Sequence, residues 1–120
     1  MRIDAFPSTG QWFKGNTHAH TSVSDGIFEP EKLITEYKKA GYSFLAITDH
    51  EIYSDYTQYD TNSFIMMPGV ELMLWQGDKK IAFTTHLVGL GIPGKNKFLH
   101  GQKLEYDNTY GVKERKIRLT

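Results

Sequence analysis

Apolar positions change rhythm several times along this chain, and each change marks an element. From Pro30 onward, Leu33, Ile34, Tyr37 and Ala40 recur at helical spacing, while Lys32, Glu36 and Lys39 fall on the opposite side. Pro30 suits the first helical position, where a missing N–H is harmless, and Gly41 is placed to end the helix after Lys38 and Lys39. Phe44–Thr48 is a short apolar run without alternation, as expected of a strand covered on both faces. Trp12–Ala19, ahead of the helix, reads as another strand. A strand–helix–strand order predicts a parallel βαβ unit.

The second half is strand-rich. Residues 51–62 read as a polar loop carrying Tyr53, Tyr56 and Tyr59, whose simplest role is packing rather than stacking on a sugar or base. Phe64–Met67 predicts a third strand, stopped by Pro68-Gly69. Glu71–Trp75 and Ile81–Leu90 predict two more, joined by a turn around Gly77-Asp78. Beyond Pro93-Gly94 only Lys116–Leu119 has strand character. Residues 1–11, with Pro7, Ser8, Thr9 and Gly10, read as an irregular lead-in, and 12–120 as a single domain without internal repeats.

Bulk properties narrow the function. The 120 residues are 39% hydrophobic, enough for one core. The 14 basic and 14 acidic residues cancel, so no overall field favours nucleic acid or a membrane surface. The basic residues between Lys95 and Arg118 read as a solvated face. The chain has no cysteine, which excludes disulfides, thiolate metal sites and cysteine nucleophiles; any metal must be held by nitrogen and oxygen. Apolar runs such as Phe44–Ile47 are far too short to cross a bilayer, and the N-terminus has no signal-peptide stretch, so a cytoplasmic location is expected.

Histidines and carboxylates carry the chemistry. His18 and His20 are two apart, so on an extended segment they share one face and can address one metal. Asp25 lies in a Ser-Asp-Gly turn, which alone is ordinary turn chemistry. Asp49-His50 directly follows an apolar strand; Asp49 is suited to orient an imidazole and His50 to bind a metal. Glu71 interrupts an apolar segment, where a buried carboxylate needs a partner, and His86 interrupts another. Gly89–Gly94 fits G-x-G-x-x-G, but Pro93 and Lys95-Asn96-Lys97 oppose the helix that a dinucleotide loop requires.

Taken in order, His18-Ala19-His20-Thr21, Ser24-Asp25-Gly26, Ile47-Thr48-Asp49-His50, Pro68-Gly69-Val70-Glu71-Leu72 and His86-Leu87-Val88-Gly89-Leu90 resemble the opening motifs of the polymerase and histidinol phosphatase (PHP) family. The resemblance covers roughly residues 12–92. It implies an α/β fold, the first half of a distorted (β/α)7-type barrel, and up to three divalent ions such as zinc, manganese or iron. By that resemblance His18, His20 and Glu71 share one ion, Glu71 and His86 a second, and Asp25 and His50 a third, with Asp49 supporting them. The family's later motifs, a further His and an Asp-x-His, are not among these residues, and the open edges of a half barrel invite association into a homo-oligomer.

Two functions of different class follow. One is hydrolysis of a small-molecule phosphoester by a metal-activated water, which needs no side-chain nucleophile. The other is a non-catalytic metal- or phosphate-binding module with an incomplete site. Some members of the family accompany bacterial replicative polymerases, which makes exonuclease work on DNA a third reading, disfavoured by the neutral charge.

Overall fold

A computed structural model describes residues 9–77, 82–91, 100–101, 103, 105–106 and 117–118. Helix α1 spans Pro30–Lys39, with Pro30 opening it as the sequence predicts. Ile34 is buried, and Leu33 and Tyr37 pack beside it. Gly41 takes φ 74°, a left-handed conformation that glycine adopts without a Cβ clash, and the chain turns there. On the outer side Glu36 pairs with Lys32 at 2.8 Å and Lys39 at 3.1 Å.

Three parallel strands lie under the helix: β1 (Gly15–Asn16), β2 (Phe44–Ala46) and β3 (Ile65–Met67), in the order β1-β2-β3. The first is much shorter than the Trp12–Ala19 strand expected. Asn16 Oδ1 accepts the His18 amide at 3.1 Å, which takes that group out of the ladder. Pairing resumes when Thr48 N–H donates to Ala19 O at 2.8 Å. Trp12 and Phe13 are exposed. Leu45, Ala46 and Ile47 are all buried, which explains a run without alternation. The core joins Ile34, Leu45, Ile47, Phe64 and Met66 with Ala19 and Tyr56. Tyr53 is buried too, so two of the three loop tyrosines pack inward; a short 3-10 turn covers Thr57–Tyr59.

Beyond Pro68, which has no N–H to offer a ladder, the chain forms a hairpin of β4 (Gly69–Gly77) and β5 (Ala82–Leu90). A parallel bridge between His50 and Glu71 lays β4 along the continuation of β2. A two-residue pair, β6 (Glu105–Tyr106) and β7 (Ile117–Arg118), follows; β7 falls within the Lys116–Leu119 stretch. Asp78, Ile81, Ile92–Lys97 and most of the basic stretch from Lys95 lie outside the described residues.

The fold is therefore α/β. Among the described residues there is one helix, an open parallel sheet and hairpins, without closure. Three parallel strands are too few to curl round on themselves. No described helix is long and apolar enough to cross a membrane.

Candidate metal centre

Parallel strands all end at one edge, so whatever follows each strand is brought to the same place. His18 and His20 follow β1, and Thr48, Asp49 and His50 follow β2. Glu71 enters that edge near the start of β4. Along β4, Glu71 and Met73 share a face, and Met73 stands opposite His86 in the β4–β5 register. The hairpin thus turns His86 toward Glu71.

Glu71 is the hub. It is 3% exposed, and four imidazoles surround it. His86 Nδ1 lies 2.6 Å from Glu71 Oε1. His20 Nε2, His18 Nε2 and His50 Nδ1 lie 2.8, 3.5 and 3.6 Å from Oε2. Asp25 closes the other side: its Oδ1 is 2.9 Å from His20 Nδ1 and its Oδ2 3.5 Å from His50 Nε2. All six of His18, His20, Asp25, His50, Glu71 and His86 therefore meet in one cluster.

Hydrogen bonds do not satisfy this cluster. Among the described residues, Glu71 Oε2 and His50 Nδ1 are buried without a hydrogen-bond partner; the 2.8 Å approach of His20 lacks the alignment of a bond. His18 Nε2 and His20 Nε2 face each other at 3.2 Å, where at most one proton fits between them. Orphaned acceptors this deeply buried are costly unless something electropositive sits among them. The donors fit a divalent cation: imidazole nitrogens and carboxylate oxygens, no sulfur.

The ligand atoms form three groups, His18–His20–Glu71, His20–Asp25–His50 and His50–Glu71–His86, and within each group the atoms lie within 4.8 Å of one another. A neutral imidazole has one lone pair, so His20 and His50 each serve one group at a time. Glu71 has two oxygens. The first and third groups can consequently be filled together with Glu71 bridging them, while the middle group competes with both.

Hydroxyls and Asp49 surround the candidate ligands. Thr48 Oγ1 lies 3.1 Å from His18 Nδ1; with the proton on Nδ1, the Nε2 lone pair faces Glu71. Fully buried Asp49 accepts from Thr21 N–H at 2.8 Å, Thr21 Oγ1 at 2.8 Å and Ser24 Oγ at 2.7 Å. Its observed partners are thus the Thr21–Ser24 loop rather than an imidazole. Gly26 completes the loop, donating to Thr21 O at 2.8 Å. Desolvation opposes ionisation of Asp25, but the charges of His20 and His50, with hydrogen bonds from His20 and Ser24, outweigh it and hold the carboxyl below its usual range.

A cleft of about 390 Å³ opens beside the ligands, lined by Val23, Ser24, Asp25, His50, Glu51, Met73 and His86. Thr21, Ser24 and Thr48 stand within the sequence motifs without a task of their own there, and Val23, Glu51 and Met73 lie outside those motifs. Proximity to the ligand motifs was the available signal for all but Met73, whose signal was its two-residue offset from Glu71. His100 sits elsewhere, edge-on to Tyr56 with ring centroids 4.6 Å apart and accepting Asp55 N–H at 3.1 Å. No protein-family model and no curated protein sequence matches this chain.

Proposed function

We propose that this site hydrolyses a phosphate ester with the help of divalent metal ions. The observation that carries this reading is the convergence of four imidazoles on Glu71, whose Oε2 is buried without a hydrogen bond. The likeness of the ligand motifs to the PHP family supports the same reading and suggests a part-barrel of that kind. Bound ions would neutralise charge on the phosphoryl oxygens and bring the pKa of a water toward neutrality.

The chain's own residues have distinct tasks. His18, His20 and His50 present nitrogens to Glu71 Oε2 and His86 presents one to Oε1, so this one carboxylate is common to the first and third groups. Asp25 borders the cleft and screens the imidazoles with its charge. Asp49, through Thr21 and Ser24, keeps the Asp25 loop against the ligands. Water itself serves as nucleophile, so no serine or cysteine is needed.

One observation favours the rival reading of a non-catalytic module: among the described residues no lysine or arginine lines the cleft to receive a phosphate. Elemental analysis paired with a phosphatase assay separates the two. The expected result is about two ions per chain, because His20 and His50 have one lone pair each. Activity on p-nitrophenyl phosphate should vanish on chelation and return with Mn²⁺ or Zn²⁺. Glu71→Gln should lose both ions and activity. Tightly held metal with no turnover of any phosphoester would select the module instead.

A further inference from the structure

The two oxygens of Asp25 meet two different imidazoles. Oδ1 lies 2.9 Å from His20 Nδ1, and Oδ2 lies 3.5 Å from His50 Nε2. The other nitrogen of each ring points inward: His20 Nε2 is 2.8 Å and His50 Nδ1 3.6 Å from Glu71 Oε2. The two rings touch edge to face, with centroids 4.5 Å apart. Asp25 and Glu71 therefore bracket this pair of rings from opposite ends.

Where the ring protons sit follows from what each neighbour can accept. An ionised carboxylate only accepts, and a neutral imidazole carries one proton. Ser24 Oγ also has a single proton, and its shortest contact is Asp49 Oδ1 at 2.7 Å. With that proton committed, Ser24 offers only lone pairs to His20 Nδ1 at 3.4 Å. His20 Nδ1 thus faces two acceptors, Asp25 and Ser24, and keeps the ring proton. His50 follows the same rule at Nε2. The inner nitrogens are then bare, in keeping with His50 Nδ1 and Glu71 Oε2 both being buried without a hydrogen bond. A nitrogen that gives its proton to Asp25 has no lone pair for an ion, so the His20–Asp25–His50 group holds one only by breaking both contacts.

We propose that Asp25 is a positioning residue: it accepts from His20 Nδ1 and His50 Nε2, and so presents His20 Nε2 and His50 Nδ1 as bare nitrogens to ions held at Glu71, while binding no ion itself. This rests on the metal reading above and departs from the ligand role that the family likeness implies for Asp25. Long-range ¹H–¹⁵N NMR of the full chain tests it, because a protonated ring nitrogen and a bare one differ in shift. Spectra are recorded without metal at alkaline pH, where neutral imidazole prevails, and again with zinc. The expected result is a proton on His20 Nδ1 and on His50 Nε2 in both states, with zinc shifting only the inner nitrogens of these two rings. Asp25→Ala should turn His50 into a mixture of tautomers and weaken zinc roughly tenfold, with the number of ions unchanged. Adding Ser24→Ala should release His20 as well. Parent spectra with the proton on either inner nitrogen overturn the inference. So do unchanged tautomers in Asp25→Ala, or loss of a whole zinc equivalent, which would make Asp25 a ligand; each of these leaves the metal reading standing. If zinc shifts none of the clustered histidines, the metal reading fails and this inference with it.

Discussion

Glu71 and Asp49 show two uses of a buried carboxylate. Asp49 is satisfied by three donors from Thr21 and Ser24, so it serves the fold and fixes a loop. Glu71 keeps an oxygen without a hydrogen bond, so it is poised for a ligand. The distinction is testable. Asp49→Asn replaces a charged acceptor by a neutral one and should lower stability by about 2 kcal/mol in urea unfolding. Metal affinity should fall roughly tenfold, as for other supports of a ligand shell. Unchanged affinity would remove Asp49 from the metal centre altogether. Tyr56 gives a second handle. Burial first, then the charges of Asp49 and Glu31, push its phenol from 10.0 up to about 12. A raised folded-state pKa means that the unfolded chain loses this proton first. Stability is therefore complete below pH 10 and falls as the pH rises toward about 12, by about 3 kcal/mol for a shift of this size. Tyr53 and Tyr59 are shifted upward as well and add to the trend. Unfolding midpoints between pH 9 and 12 should fall less steeply in Tyr56→Phe than in the parent.

Among the elements, the Thr21–Phe28 loop is the most demanding. Ser22 N–H donates to Phe28 O, and Ser24 and Gly26 N–H groups both donate to Thr21 O. This winds the loop so tightly that a Cβ at Gly26 would run into the backbone of His20 and Thr21. Backbone cannot swing aside as a side chain can. Gly26→Ala should cost about 1–3 kcal/mol and displace Asp25. Metal titration should then show both ions retained with only modestly weakened affinity, because Asp25 borders the two groups that share Glu71 and supplies no ligand to either. Loss of both ions would mean that the loop supports the whole cluster. The β4–β5 hairpin has the complementary job. Its register alone puts His86 on the Glu71 face, and a one-residue slip would turn His86 away.

Taken as one body, the protein keeps its ligand cluster at the carboxyl ends of the parallel strands and a second, apolar surface at their amino ends. Phe13, Ser43, Phe44, Asn62, Ser63 and Ile65 line a cleft of about 370 Å³ there, with Phe13 and Ile65 exposed. β3 is one of the two outer strands of its sheet. Exposed apolar side chains on an outer strand favour pairing with another copy. Sedimentation over a range of protein concentrations should reveal association, and Ile65→Lys should weaken it while metal content stays the same. A monomer at every concentration would remove homo-oligomer formation from the picture.

Much of this was legible in the residues alone. Helical spacing from Pro30, the glycine stop at Gly41, the solid apolar run at β2 and the break at Pro68 are local features, set by backbone preference and by which faces are covered. So were the six side chains that gather into groups able to hold a metal, through the likeness of their ordered motifs to one family rather than through any single residue. What needed three dimensions was relative placement. The amide of His18 went to Asn16 rather than to a ladder, which shortened β1. Asp49 found Thr21 and Ser24, 28 and 25 positions away in sequence, instead of an imidazole. Glu51 and Met73 entered the cleft only through a positive φ and a strand register. Spacing along a chain fixes which side of an element a residue occupies; which residue of another element it meets depends on how those elements pack and pair.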